Sequence, residues 1–235
     1  MAVASFTSLL IRLSSLRMKL IETLREKGVE VADSDMLTAL VRKTQLIDSN
    51  SGMNQIRNGY QLFKDNRTMI VFPTFDTATF DSMYQMCYGC TALERIPFLD
   101  TAKVYNMMYA FYACTNLTEI AGLDTSQIAS ASEMFHGCVK LRKIGGVLDF
   151  SKVRSQIDST FVSCSALEEV TFVGTITVDI AMNGCPKLTV DSLLSLLDAL
   201  SAGVTNRECR IGAKNLSKLS IVQQAIATNK GWTLI

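Results

Sequence analysis

The sequence has few prolines, a single histidine and no long hydrophobic run. Three prolines and thirteen glycines in 235 residues exclude collagen-like and low-complexity classes. Arg12, Arg17 and Lys19 interrupt the most hydrophobic stretch, so no apolar run reaches the roughly 20 residues of a membrane-spanning helix. Neither sign of charge is in excess, since 23 Lys and Arg stand against 22 Asp and Glu. We therefore expect no membrane insertion and no nucleic-acid partner held by general attraction to phosphate.

Residues suited to catalysis or metal binding are also scarce. His136 is the only histidine, so a Ser-His-Asp or Cys-His mechanism would need it, and it stands at a variable position beside a repeated cysteine. The sequence contains no glycine-rich phosphate loop. Cys87 and Cys90 have the spacing of a zinc knuckle or redox pair, but a second pair at comparable spacing is missing. The sequence therefore predicts a non-enzymatic protein with no catalytic residues, cofactor or metal.

What the sequence does contain is an internal repeat of about 24 residues. Five cysteines recur at intervals of 24, 24, 26 and 21 residues, each followed three positions later by leucine. The cysteines are Cys90, Cys114, Cys138, Cys164 and Cys185. A unit this short cannot bury its apolar face alone, so successive copies must stack. The period predicts an α/β solenoid in which each unit supplies one short parallel strand and one helical or 3₁₀ turn.

The repeat phrases resemble a known family. They are Cys90-Thr-Ala-Leu-Glu-Arg-Ile-Pro97, Phe111-Tyr-Ala-Cys-Thr-Asn-Leu-Thr-Glu-Ile120 and Met134-Phe-His-Gly-Cys-Val-Lys-Leu141. These phrases resemble the BspA-like leucine-rich repeats of bacterial surface proteins and of phages that infect gut bacteria. The segment from Leu188 to Leu200 is similar to endings attached to such repeats in phage and prophage proteins. The resemblance implies a leucine-rich-repeat solenoid with a non-enzymatic role in adhesion or virion attachment.

The chain divides into four predicted segments. Residues 1–48 are expected to form a helical hairpin for docking or oligomerisation, 49–71 a linker and N-terminal cap, 72–189 the repeats, and 190–235 a C-terminal α/β cap. The first helix carries an apolar stripe of Leu9, Leu13, Leu16, Leu20 and Leu24. The stripe is longer than the second helix can cover, so we expect a homo-oligomer or contacts with other virion proteins. In the C-terminal cap, helices are predicted at 190–200 and 220–228, and strands at 208–211 and 232–235.

Three further features of the repeats have predicted roles. The cysteines should form a buried, reduced column, which fits assembly in a reducing cytoplasm, and Cys114→Ser should destabilise it by placing a hydroxyl among apolar groups. The recurring Asp76, Asp100, Asp124 and Asp149 either bind calcium or cap turns, and turn capping is favoured. The 26-residue interval implies two extra residues, one near Gly145-Gly146 and one between Val153 and Ile157, which we place in loops.

Two sets of outward side chains are candidates for partner binding. Arg95, Glu119, Lys143 and Glu169 alternate in sign along the predicted sheet. They either pair between strands or form a mixed-charge face for a protein or glycan. Tyrosines cluster in the first two units, at Tyr84, Tyr88, Tyr105, Tyr109 and Tyr112. They either form an aromatic binding patch, with Tyr88 and Tyr112 as its candidate contacts, or pack between repeats.

The favoured function is that of a phage virion protein on the tail or a fibre-like appendage. In this interpretation the chain is assembled in the host cytoplasm, is located in the virion, and presents its repeat face to a host surface protein or glycan. A bacterial cell-surface adhesin is the alternative, although no positive charge precedes the first apolar residues as a secretion signal would require. A purely structural virion spacer is the third possibility.

Overall fold

The computed structural model describes residues 58–73, 77–155 and 157–235. The chain divides into two units between Leu40 and Val41, and every described residue belongs to the second unit. The predicted helical hairpin, with its stripe from Leu9 to Leu24, and residues 49–57 of the predicted linker therefore lie outside the described residues. Within the described ranges, no helix has the length and apolar character needed to cross a membrane.

The described part of the chain is an α/β structure with two sheets of short parallel strands. The first sheet contains β1 (Arg95–Phe98), β2 (Glu119–Asp124), β3 (Lys143–Asp149) and β4 (Phe172–Val173), in that order. Ile96 pairs with Ile120, and Ile120 with Ile144, so equivalent repeat positions lie side by side. All three isoleucines are buried. A step of one repeat along the chain is therefore a step of one strand across the sheet.

Strand β3 contains an irregularity where the sequence indicated a loop. The pairing of β2 with β3 shifts between Ile120 and Leu123, and Leu123 then pairs with Gly146. Gly146 has a φ of +76°, and a side chain at Gly145 would clash with the carbonyl oxygen of Ala121. At this shift Ala121 and Gly122 of β2 lie opposite Gly145 alone, so the bulged residue belongs to β2. Strand β3 has four residues between Lys143 and Leu148, where the next repeat has two between Glu169 and Phe172, so the extra length is held within the strand. The predicted loop at this point is wrong.

The segment before each cysteine is a series of turns and not the predicted helical or 3₁₀ turn. Left-handed backbone recurs twice per repeat, at Gln61 and Asp65, Gln85 and Gly89, Tyr109 and Ala113, and Glu133 and Gly137. A right-handed helix excludes that conformation. Here the N–H groups of alternate residues donate to the next repeat, as from Cys87 to the Ala110 oxygen at 2.7 Å and from Gly89 to the Tyr112 oxygen at 2.8 Å. The turn segments therefore join neighbouring repeats by a second set of backbone hydrogen bonds, in addition to those of the sheet.

The core consists of columns of equivalent side chains. Phe111, Phe135 and Phe161 are fully buried. The ring centroids are 5.7 Å apart for Phe111 and Phe135 and 5.6 Å apart for Phe135 and Phe161. The repeated cysteines and leucines form two further buried columns. Each column continues from repeat to repeat, so the apolar face of one unit is covered by its neighbours.

The C-terminal segment has helices α1 (Val190–Ala199), α2 (Ala213–Leu216) and α3 (Ile221–Asn229). The second sheet has the order β5 (Ile180–Ala181), β6 (Arg207–Arg210) and β7 (Trp232–Leu234). Thr189 caps α1 by accepting a hydrogen bond from the Ser192 N–H at 3.2 Å. The four elements predicted after residue 189 are confirmed to within two residues at each end, whereas α2 and β5 were not predicted.

Candidate recognition surface

The four charged residues predicted to face outward lie in one column across the sheet. The register places Arg95 beside Glu119, Glu119 beside Lys143, and Lys143 beside Glu169. Lys143 Nζ and Glu169 Oε2 form an ion pair at 2.7 Å, and this contact raises the pKa of Lys143. Exposed pairs of this kind contribute little to stability. The column therefore neutralises part of its charge within the chain.

A second surface is formed by the turn segments. We define the turn face as the outward side chains of residues 60–65, 84–89, 108–113 and 132–137. These four ranges occupy equivalent positions in successive repeats, and their backbones are joined by the hydrogen bonds described above. Side chains one repeat apart are therefore immediate neighbours on this surface.

Five tyrosines and the single histidine form an unbroken series of ring contacts on the turn face. Ring centroids are separated by 5.2 Å for Tyr60–Tyr84, 6.2 Å for Tyr84–Tyr109, 5.8 Å for Tyr109–Tyr112, 4.7 Å for Tyr88–Tyr112 and 4.9 Å for Tyr112–His136. Tyr60 is exposed and the other five residues are half-buried. Tyr105 is exposed and makes no ring contact with any described residue. Tyr88 and Tyr112 thus lie together as expected, whereas Tyr105 does not join them.

One column of the turn face is stacked across four repeats. Tyr88 and Tyr112 are almost parallel, with an interplanar angle of 6°. The ammonium group of Lys64, one repeat earlier, lies 5.2 Å from the centroid of Tyr88. His136, one repeat later, lies against Tyr112. Both faces of Tyr88 and of Tyr112 are therefore occupied by neighbours, which leaves their edges and hydroxyl groups toward solvent.

Two carboxylates border these rings. The charge of Glu133, followed by partial burial, raises the pKa of Tyr109. Partial burial, followed by the effects of Tyr112 and Asp65, raises the pKa of Tyr88. Nδ1 of His136 lies 3.4 Å from Glu133 Oε2 without the geometry of a hydrogen bond. The phenols therefore lie in a locally negative environment.

The seven cysteines are buried and free, as predicted for the repeat column. Thiols of Cys90, Cys114, Cys138 and Cys164 each donate a hydrogen bond at 3.0 Å to a backbone carbonyl of the preceding repeat. Burial raises the pKa of the Cys87, Cys114 and Cys138 thiols. Neutral thiols are poor nucleophiles and poor metal ligands. In the part of the chain that the structure describes, no cluster of three or more potential metal-binding side chains occurs.

The recurring aspartates cap turns, as favoured from the sequence. Asp124 Oδ1 accepts a hydrogen bond from the Ser126 N–H at 2.9 Å, and Asp100 and Asp149 make the equivalent bond. Asp76 lies outside the described residues. The role of the following threonine was not evident from the sequence. Thr101 is fully buried, and its hydroxyl donates to the Asp124 carbonyl at 2.7 Å and accepts from the Asp124 N–H at 2.8 Å. The recurrence of Leu-Asp-Thr was the available signal.

Comparison with known proteins gives one family. A family model described as "Mycoplasma protein of unknown function, DUF285" matches residues 53–171, about half of the chain. The match links the chain at the family level to BspA-like repeat proteins. No curated protein and no solved structure matches the chain.

Proposed function

Because the chain belongs to the DUF285 family, whose description assigns no function, we propose a function from its own surfaces. It is a non-enzymatic recognition protein whose repeats form a leucine-rich-repeat solenoid, closed at one end by residues 190–235. The partner-binding surface is the turn face, centred on Tyr88 and Tyr112. The charged column from Arg95 to Glu169 is a second candidate contact surface.

The series of ring contacts on the turn face is the observation that carries this proposal. Tyrosine combines an apolar ring with a polar hydroxyl and loses little conformational freedom on binding, so it is enriched at protein interfaces. Five tyrosines from three successive repeats meet on one surface, and each retains some exposure to solvent. Stacked repeats present such surfaces continuously, which suits them to recognition.

The setting that we propose is a phage virion, on the tail or a fibre-like appendage. Its support is the resemblance of the repeats and of the C-terminal segment to phage and prophage proteins. In this setting the stripe from Leu9 to Leu24 joins copies of the chain or other virion proteins, and the turn face meets a protein or glycan of the host surface. A bacterial cell-surface adhesin is the alternative, because BspA-like repeats also occur in bacterial surface proteins.

A purely structural spacer is the second candidate function, and two ion pairs favour it. Arg142 Nη2 lies 2.8 Å from Glu168 Oε2, one position before the pair of Lys143 with Glu169. Both pairs join the repeat that contains β3 to the repeat that follows it. In a spacer, the outward charges would serve only to pair neighbouring strands.

Adsorption of the purified full-length chain to cells and envelope fractions of gut bacteria tests the proposal. The double variant Tyr88→Ala/Tyr112→Ala should lower adsorption about ten-fold or more, since ring truncation at an interface centre commonly costs over 1 kcal/mol per residue. Tyr105→Ala is the matched control and should adsorb normally. A quadruple charge reversal at Arg95, Glu119, Lys143 and Glu169 tests the other surface. If both multiple variants adsorb like the wild type, the spacer is the better account.

A further inference from the structure

The ring faces at the centre of the turn face are already occupied. Lys64 covers one side of Tyr88, Tyr112 covers the other, and His136 covers the far side of Tyr112. Tyr60 and Tyr84 are stacked on each other at 5.2 Å. A sugar ring that binds an aromatic residue places its C–H groups on the ring face. Tyr88 and Tyr112 have no such face free, so their edges and hydroxyl groups are what a partner can meet.

The turn face carries more carboxylates than ammonium groups. Its four ranges contain two carboxylates, Asp65 and Glu133, and one ammonium group, that of Lys64. Lys64 is engaged within the chain, because its Nζ donates to Gln85 Oε1 at 2.9 Å and lies over Tyr88. Asp65 is exposed and has no ion-pair partner within the described ranges. The turn face therefore offers a partner uncompensated negative charge beside phenol groups.

The backbone conformation of the turn segments determines where the Asp65 carboxylate lies. Asp65 has a left-handed φ of 59°. Its Oδ1 lies 2.6 Å from the position that a Cβ atom would occupy at Gly89. Gly89 itself has a φ of +70°. The glycine thus leaves space for the carboxylate next to Tyr88, and any larger residue there would displace it.

Resting on the recognition function proposed above, we infer that the partner of the turn face is a polypeptide that contributes arginine, not a glycan. A guanidinium group is planar, donates several hydrogen bonds to carboxylates and packs against aromatic rings. Asp65 and Glu133 supply the carboxylates, and the tyrosine edges supply the apolar contact. The phenol hydroxyls hydrogen-bond to the partner backbone, as tyrosine does at protein interfaces.

Matched peptide and glycan arrays test this inference with the full-length chain. The peptide probes are 12-residue sequences in pairs that differ only by two arginines replaced by two glutamates, and the glycan probes are bacterial surface oligosaccharides. The wild type should bind the arginine peptides about ten-fold or more tightly than their glutamate partners, with a strong dependence on salt. The double variant Asp65→Asn/Glu133→Gln should lose that preference.

The two substitutions are chosen to preserve the fold. Asparagine tolerates the left-handed backbone of Asp65. Glutamine already occupies the position of Glu133 in two other repeats, at Gln61 and Gln85, where φ is 51° and 52°. Tyr105→Ala should bind like the wild type, and thermal unfolding verifies that each variant is folded.

The inference is overturned if the arginine preference survives in Asp65→Asn/Glu133→Gln, or if neither peptide of a pair binds. It is also overturned if the chain binds glycans and Tyr88→Ala/Tyr112→Ala abolishes that binding. In this last case the recognition function would stand with a different partner. Adsorption that is unchanged in both Tyr88→Ala/Tyr112→Ala and the quadruple charge reversal would instead refute the recognition function itself.

Discussion

The thiol of Cys114 donates a hydrogen bond to the backbone oxygen of Cys87 in the preceding repeat, at a distance of 3.0 Å. The same bond recurs in three other repeats, so the cysteine column is a set of buried donors as well as packing groups. A turn segment that donates its alternate N–H groups to the next repeat leaves such carbonyls inside the core. Each of these carbonyls also accepts a backbone N–H of its own repeat, as the Cys87 oxygen does from Cys90 at 3.1 Å, so the thiol is a second donor to the same oxygen.

This hydrogen bond makes serine a better replacement than alanine at position 114. A hydroxyl can donate to the Cys87 oxygen, whereas Cys114→Ala removes this second hydrogen bond to that carbonyl, at a cost of about 0.5–1.5 kcal/mol. We therefore expect Cys114→Ser to unfold at a higher urea concentration than Cys114→Ala. Equilibrium urea unfolding of both variants and the wild type measures the order.

Cys209 provides the control for that order. Its thiol is fully buried but donates no hydrogen bond to any described residue. At this position a serine hydroxyl would be unpaired, so Cys209→Ser should be less stable than Cys209→Ala. If serine is the worse replacement at both positions, the bond from Cys114 does not stabilise the fold.

The burial of Cys209 also predicts a dependence of stability on pH. Burial raises the pKa of this thiol from 9.0 to about 12. Below pH 9 the thiol is neutral in both the folded and the unfolded state, so its contribution is constant. Between pH 9 and 12 the unfolded state loses the proton while the folded state keeps it, and the free energy of unfolding falls.

Comparison with Cys209→Ala isolates this effect from the other groups that titrate in the same range. Between pH 8 and 10 the free energy of unfolding of the wild type should fall by about 1.4 kcal/mol more than that of Cys209→Ala. Urea unfolding at the two pH values gives the difference. Parallel decreases in the two proteins would contradict a raised thiol pKa.

Left-handed backbone before the repeated cysteines predicts opposite effects of two glycine exchanges. Gly137 has a φ of +77° and Ser163 a φ of 61°. Ser163→Gly should stabilise the protein and Gly137→Ala should destabilise it, each by about 1 kcal/mol, because a Cβ atom disfavours this conformation. A Cβ at Gly137 would meet Ala113 Cα at an ordinary 3.5 Å, so the backbone alone determines the cost. Equal signs for the two changes in thermal unfolding would refute this explanation.

The leucine stripe of residues 9–24 predicts self-association. Leu13→Glu/Leu20→Glu places two charges in the apolar stripe and should convert an oligomer to a monomer. Sedimentation velocity of the full-length chain measures the change. Arg12→Glu/Arg17→Glu, which changes charge outside the stripe, should leave the oligomer intact. A wild-type chain that sediments as a monomer and binds no other virion protein would contradict the predicted role of the stripe.

The sheet could be predicted from the sequence because its signal is a period. Recurrence of Ile96, Ile120 and Ile144 at 24-residue intervals, each beside a charged residue, predicts both the buried column and the outward one, and the register confirms them. Glu119 and Lys143 are therefore neighbours across the sheet, as the period requires.

The turn segments could not be predicted in the same way. Their left-handed positions are held by Gln85, Tyr109 and Glu133, residues that carry no sequence signal for that backbone. Glycine stands before Cys90, Cys138 and Cys185 but not before Cys114 or Cys164, so it was an inconsistent signal. The order of ring contacts depends on this backbone, so the clustering of tyrosines was visible in the sequence whereas the covered faces of Tyr88 and Tyr112 were not.

Hydroxyl-radical footprinting of the full-length chain, free and bound to the bacterial envelope fraction, tests the recognition surface most directly. Binding through the turn face predicts lower modification of Tyr88 and Tyr112, with Tyr105 unchanged as the internal reference. Protection confined to the strands around Arg95 and Lys143, or no protection at either tyrosine, would contradict the assignment of the turn face as the partner-binding surface.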